Sequence, residues 1–407
     1  MENDIFHAGT VPDTIRLVHI ADLHLGSPFS GFPEHVASLR VGLFDAFLSI
    51  VEHCERERVP LLLIAGDLFD SAVPEPALAR RTADALGLLS VTRVFIAAGN
   101  HDPAGIDSPY RTIEWPAHVH LFLGHPESVD LPELGVCVHG AGFASAAAER
   151  PLFGENAPAR DPDDPRIHLL VLHGDRIDGA AQTPYNPIRR EWLAAAGYDY
   201  AALGHVHAPT PPAEAAATGI AYSGCHAGRG FDETGERGAL AVTLRRAPVP
   251  GGRAVRVVRE ASFLPPPRPA RRYIAIEAEV GDPGDPDEAV SNVASAIARA
   301  GGSDPERHLY RIMLTGTRDA DAAPPADRVA ARLRGSVFHL ELEDRTAVGE
   351  DIESLALRHS LRGLFVRRLL QRMEETGGDG PERSRIEAAL RLGLQAARGE
   401  VEPDEAD

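Results

Sequence analysis

Five short blocks hold the residues with chemistry in them: Asp22-Leu23-His24, Gly66-Asp67-Leu68-Phe69-Asp70, Gly99-Asn100-His101-Asp102, His173-Gly174-Asp175 and Gly204-His205-Val206-His207. In Asp22-x-His24 and His205-x-His207 an extended backbone puts both side chains on one face, so one cation can take both. Glycine before Asp67, Asn100 and His205 permits a tight turn where a side chain must approach a cation closely. Imidazole, carboxylate and amide oxygen together suit manganese, iron or zinc rather than copper or a thiolate-held ion. Taken singly, each block is weak. An Asp-x-His after a strand is more often a turn than a ligand pair, and Gly-Asn-His-Asp is compatible with a left-handed asparagine turn. Five in one order, each after a buried strand, are hard to obtain by chance. The candidate ligands are Asp22, His24, Asp67, Asn100, His173, His205 and His207.

Each block needs an element to place it. Strand-length aliphatic runs precede them, at Ile15–Ala21, Leu61–Ala65, Val94–Ala98, Ile167–Leu172 and Tyr198–Leu203. Between the first two, Val36, Leu39, Leu43, Phe47, Ile50 and Val51 recur at three- and four-residue spacing, which predicts a helix over 34–58. Pro76–Ser90 predicts a second. The alternation implies an α/β fold with mostly parallel strands, right-handed crossovers and both sheet faces covered. In such sheets ligands collect beyond the carboxyl ends of the strands, so these five ends would share one crevice.

Ala239–Leu244 reads as a further strand, and the proline-rich stretch 264–271 marks a boundary. Beyond it, strands at Tyr273–Val280, Leu309–Leu314 and Phe338–Glu343 with a helix at Glu288–Ala300 make a compact α+β unit. Helices at Ile352–Glu375 and Glu382–Arg398 follow, separated by Gly377-Gly378-Asp379-Gly380-Pro381. The expected organisation is a large domain over 1–263, a small α+β domain over 271–345, C-terminal helices over 350–400, and a disordered acidic tail. No internal repeat is present.

Composition sets limits. At 407 residues the chain exceeds one ordinary domain, and 43% hydrophobic content is ample for a sizeable core. The formal charge of −19, from 41 basic and 60 acidic side chains, counts against broad non-specific affinity for nucleic acid. It does not exclude a nuclease, because bound divalent cations reverse the local field. No apolar run approaches the roughly 18 residues of a bilayer span, and the polar N-terminus lacks a signal-peptide stretch. Three dispersed cysteines (Cys54, Cys137, Cys225) without a CxxC pair argue against a disulfide framework or a zinc cage. A reducing cytoplasm fits, with no membrane association. His19 and His139 read as packed structural residues, His53 as exposed on a helix, His226 as a loop residue and Cys225 as a half-buried thiol.

Over Ile15 to Pro209 the five blocks resemble the calcineurin-like metallophosphoesterase superfamily. The resemblance implies a sheet sandwich flanked by helices and two divalent ions, manganese first with iron or zinc as alternatives. Asp22, His24 and His207 would hold one ion, Asn100, His173 and His205 the other, and Asp67 would bridge both. His101 would be the catalytic histidine and Asp70 its orienting carboxylate. Within the superfamily the chain is most similar to bacterial DNA repair exonucleases of the SbcD and YhaO type. That likeness rests on His19-Ile20-Ala21-Asp22-Leu23-His24-Leu25-Gly26-Ser27-Pro28-Phe29, on Tyr198 to His207, and on Tyr222-Ser223-Gly224 followed by Arg229-Gly230-Phe231-Asp232-Glu233-Thr234-Gly235. It makes the small α+β unit a DNA-contacting capping domain and the C-terminal helices a docking segment for an SMC-like ATPase with a coiled coil. A homodimer is a further option.

Departures carry information too. Where many relatives have His three residues past the bridging Asp, this chain has Asp70, as some bacterial members do. Ser71 stands where protein Ser/Thr phosphatases have Arg, which argues against a phosphoprotein substrate. The Tyr222 block lacks the Pro-Gly-Ser common in SbcD proteins, which leaves cleavage polarity open.

The expected chemistry is in-line hydrolysis of a phosphodiester between two cations, with His101 protonating the leaving oxygen and Arg176 and Arg229 as phosphate contacts. A surface ion pair is the competing role for each arginine. A DNA repair nuclease is the first reading. A phosphodiesterase or phosphatase for nucleotides or other small phosphates is the second, and a non-catalytic regulator of an ATPase the third. The arginine-rich helix over 354–373 covers its own core by default, with partner docking next.

Overall fold

The computed structural model describes residues 11–153, 164–179, 181–248, 255–281, 286–318, 324–348, 352–376 and 380–397. The expected acidic tail and most of the glycine-rich breaker lie outside them. The chain divides into two compact units, one of residues 1–275 with 307–310 and one of 276–306 with 311–407.

The first unit is built on two large sheets, besides a two-stranded pair of Arg176–Ile177 and Ile188–Arg189. Strands β1 (Thr14–Ile20), β2 (Leu61–Ala65), β3 (Arg93–Ala97) and β4 (Val119–Phe122) run parallel, linked through helices α1 (Val36–Arg56) and α2 (Pro76–Leu86). The second sheet has β5 (Glu127–Leu131), β6 (Val136–Gly140), β7 (Ile167–His173), β8 (Tyr200–Gly204) and β9 (Ile220–Tyr222), in the order β9-β8-β7-β6-β5. A long antiparallel pair, β10 (Ala239–Pro248) and β11 (Val255–Leu264), completes the first sheet beside β1.

Alternation along each strand builds the sandwich. Ile15 and Leu17 of β1, Leu61 and Leu63 of β2, Val136 and Val138 of β6, Leu169 and Val171 of β7, and Leu240 and Val242 of β10 share one fully buried core. These are the inner faces of two sheets packed together. The residues between them, Val18, Ile20, Leu62, Ile64, Val94 and Ile96, are also at most 1% exposed. The first sheet is therefore covered on both faces, as parallel strands require. His19 reaches across from β1 to within 3.0 Å of the Tyr200 hydroxyl on β8, a polar tie inside the sandwich.

The α/β sandwich flanked by helices is thus the observed architecture. Five of its strands escape the hydrophobic-run criterion, β6 among them because only Val136, Cys137 and Val138 precede His139. β4 and β5 are short and half polar, β9 has three residues, and β11 interleaves Arg256, Arg259 and Glu260 with its aliphatics.

Past the proline-rich stretch comes a three-stranded sheet of Tyr273–Glu279, Leu309–Thr315 and His339–Asp344, with helices Pro286–Gly301 and Pro325–Leu333. The C-terminal helices are Ile352–Leu357, Leu361–Thr376 and Pro381–Ala396, so the single helix expected over 352–375 is in fact two. The Ser360 hydroxyl accepts the Gly363 amide and caps a fresh start. Val366, Leu390 and Leu394 form the small core of this helical group.

Candidate metal centre

The strand ends deliver their polar residues to one place through unusual backbone. Asp22, His24, Asp67 and His205 all adopt positive φ, at 52°, 45°, 50° and 105°. Left-handed backbone at non-glycine residues costs roughly 1–3 kcal/mol each and gathers at functional sites. Asp22 and His24 are held there by amide bonds to the Gly66 and Asp67 carbonyls, at 3.1 and 2.9 Å. Gly66 does have φ of 89°, but Gly99 is needed for closeness instead. A Cβ on it would lie 2.1 Å from Asp67 Oδ1.

Around Asp67 the donors converge. His173 Nε2 lies 3.3 Å from Asp67 Oδ2 and His24 Nε2 3.6 Å from the same oxygen. The His101 amide donates to Asp67 Oδ1 at 2.9 Å. Asn100 Oδ1 faces His173 Nε2 at 2.9 Å and His205 Nδ1 at 3.1 Å. On the other side His24 Nε2 and His207 Nε2 face each other at 3.3 Å, with Asp22 4.0 Å from the latter. One ligand atom each from Asp22, His24 and His207 falls within 4.8 Å, as for Asp22, Asp67 and His173, and for His24, Asp67 and His101. All seven residues singled out as ligands are therefore brought together.

The set fits divalent cations. Asp22 and Asp67 are at most 1% exposed, so two carboxylates share a space with little water. Burial, with Asp67 adding and His173 opposing, pushes the Asp22 carboxyl up to about 6. Burial also raises Asp67, but His173 beside it prevails and holds it well below the usual range. Burial works against a charged His173, yet Asp67 and Asp22 lift it to about 9. Burial pushes His24 down to about 4 and lowers His205, so both offer neutral nitrogens. Buried carboxylates short of positive charge, with imidazole nitrogens turned towards them, are what an incoming cation satisfies.

His101 sits at the mouth. It is exposed, and its ring stands nearly perpendicular to that of His24 with centroids 4.7 Å apart. Asp70, expected to orient His101, lies 3.1 Å from His24 Nδ1 and 3.1 Å from Arg229 Nη1. The chain turns it back under His24, so its described contacts fix a candidate ligand. Arg229 is likewise engaged, bonded through Nη2 to Glu233 at 2.8 Å. Arg176 stands beside Tyr222, its guanidinium 5.8 Å from the ring centroid.

Several supports went unassigned in the sequence. Glu233 lies 2.6 Å from His207 Nδ1 and fixes that ring from behind. Asp102 accepts from the Phe69 and Gly99 amides at 2.9 and 2.8 Å and from the Tyr110 hydroxyl at 2.6 Å, tying two blocks together. Asn186 donates to the His173 carbonyl at 2.7 Å. Only Asp102, inside a quoted block, and Glu233, four residues past Arg229, gave any signal. His226 is buried with Nε2 2.9 Å from the Leu43 carbonyl, a packing role. His53 is half-buried rather than exposed, 3.0 Å from Arg56, and Cys225 is fully buried.

Residues 15–209 match the family model of calcineurin-like phosphoesterases. The uncharacterized metallophosphoesterase YhaO of Bacillus subtilis is 31% identical over 232 residues, 55% of this chain and 56% of its own. The DNA double-strand break repair protein Mre11 of Methanopyrus kandleri is 26% identical over 210 residues, 48% of this chain and 45% of that protein. The match spans about half the length of both curated relatives. Among solved structures, the calcineurin-like phosphoesterase YfkN of Bacillus subtilis aligns with 61% of this chain and 90% of its own at 14% identity and a TM-score of 0.35. Over residues 15–209 the chain therefore carries a calcineurin-like metallophosphoesterase domain.

Proposed function

We propose that this domain hydrolyses phosphodiester bonds of DNA, as a repair nuclease and most simply an exonuclease, with two manganese ions in the centre around Asp67. The observation that carries the reading is the gathering of six other donor residues around that one buried carboxylate. Asp22, His24 and His207 would hold one ion, Asn100, His173 and His205 the second, and Asp67 both. When bound, such a pair neutralises charge on the phosphoryl oxygens and activates water as nucleophile. Exposed on the substrate side, His101 would pass a proton to the leaving oxygen, its backbone pinned to Asp67. Glu233 and Asp70 would keep His207 and His24 turned inwards.

DNA is favoured by the likeness to Mre11, which is named for double-strand break repair. The acidic balance of the chain keeps small phosphates as the competing substrate class. Linear duplex DNA, single strands, cyclic nucleotides and bis-p-nitrophenyl phosphate, each with manganese, separate the two. Turnover of DNA, reduced about 100-fold or more in His101→Ala with both metals retained, is expected. Turnover confined to the small substrates contradicts the nuclease reading, and a fully active His101→Ala contradicts its role.

A partner follows from the same reading. Leu357 and Leu361 of the C-terminal helices are 81% and 84% exposed, interleaved with arginines. We place there the docking segment for a coiled-coil ATPase of the SMC-like type, acting in the cytoplasm.

A further inference from the structure

Cys137 and His139 alternate along β6, and parallel register sets His168 of β7 beside Cys137. Antiparallel register sets Asp130 and Ser128 of β5 opposite Cys137 and His139. All five side chains share the outer face of the second sheet, since Val136, Val138, Ile167 and Leu169 occupy the inner one. Cys137, His139 and His168 are 3%, 5% and 4% exposed, and one ligand atom from each lies within 4.8 Å of the other two.

Both imidazoles are gripped from outside. His139 Nδ1 is 2.7 Å from Ser128 Oγ, and His168 Nε2 is 3.1 Å from an Asp164 carboxylate oxygen. Their inner nitrogens, His139 Nε2 and His168 Nδ1, face each other at 2.9 Å with the rings stacked at 14°. In the free chain one of that inner pair carries a proton. Moving the proton to His139 Nδ1, where Ser128 can accept it, frees the lone pairs of both inner nitrogens for an ion. An oxygen on the outer nitrogen is how metal-binding histidines are oriented. Asp130 and Asp164 both pair with Arg166 on this face.

We propose that Cys137, His139 and His168 form a second metal site, for Zn²⁺ or a similarly thiophilic divalent ion, clamping β6 to β7. Thiolate and imidazole arms of about 2.3 and 2.0–2.1 Å ask for nitrogens roughly 3.3 Å apart, so the rings need only part slightly. Asp130, opposite Cys137, offers a fourth oxygen. Binding releases the thiol proton and exchanges two hydrogen bonds, His139 Nε2 to His168 Nδ1 and the Cys137 thiol to Asp130, for bonds to the ion. The site is distinct from the Asp67 centre, for His168 precedes His173 by five residues, about 16 Å along the extended strand. No sequence spacing announced it, because a long insertion divides Cys137-x-His139 from His168.

Cobalt(II) tests it on the full chain. After chelator treatment, Co²⁺ should produce a near-ultraviolet thiolate-to-cobalt band, which the sulfur-free donors around Asp67 cannot give. Cys137→Ser should abolish the band and lower bound cobalt by one equivalent per chain. His168→Gln should do the same, and stands in if the serine variant does not fold. Cys225→Ser, altering the thiol buried beside Ala21, should keep the band. No thiolate band, a band that survives Cys137→Ser, or one lost in Cys225→Ser overturns the site. None of these outcomes depends on what the Asp67 centre hydrolyses.

Discussion

The side chains behind the candidate ligands explain why the ligands point as they do. Glu233 meets His207 Nδ1, Asp70 approaches His24 Nδ1, and Arg229 joins both carboxylates, so the two rings that face each other across the first subsite are braced by one ionic chain. Burial alone would raise the Glu233 carboxyl, but His207 and Arg229 hold it well below its ordinary value. Glu233→Gln keeps the shape and removes the charge. Manganese affinity should fall about 10–100-fold, measured by titration calorimetry, with the fold unchanged by circular dichroism. Unaltered affinity would reduce Glu233 to a packing residue. At this scale the gathering of the candidate ligands was legible because their types and order repeat after every buried strand. Their supports were not, since Glu233 and Asn186 earn their roles from a fold that brings distant loops together.

Strands and turns were legible wherever aliphatic runs are long and pure. β1, β2, β3, β7 and β8 are such runs, and all five feed the centre. β11 lacks a pure run because Arg256, Arg259 and Glu260 interrupt its aliphatics, and β9 because three residues carry no pattern. A local cap misled in the other direction, since Ser360 ends one helix and begins the next where periodicity runs straight through. The C-terminal helices bury Val366, Leu390 and Leu394 but leave Leu357 and Leu361 in the open. Deleting residues from Gly349 onward should abolish co-purification with a coiled-coil ATPase and spare hydrolysis of bis-p-nitrophenyl phosphate. Retained co-purification would remove these helices from the interface.

For the molecule as a whole, the sandwich is held by a core that includes uncharged histidines. Burial pushes His19 down to about 3 and His226 down to about 4, against 6.5 for a free imidazole. Below pH 6.5 the unfolded chain binds protons that the native chain refuses. Their contribution is therefore complete above that pH and lost as pH falls towards 3 and 4, by up to about 1.4 kcal/mol per pH unit for each group. Urea midpoints of the metal-loaded protein should drop between pH 6.5 and 5, less steeply in His19→Gln than in the parent chain. Equal slopes would mean that His19 is charged in the fold. Among the described residues no helix is long and apolar enough to cross a membrane.

The claim beneath all of this is that Asp67 lies between two cations. Crystals of the full chain grown with manganese, measured at the manganese absorption edge, address it directly. Two anomalous peaks should flank Asp67 about 3.5–4 Å apart, one against Asp22, His24 and His207 and the other against Asn100, His173 and His205. A single peak, or none within reach of Asp67, would contradict the account.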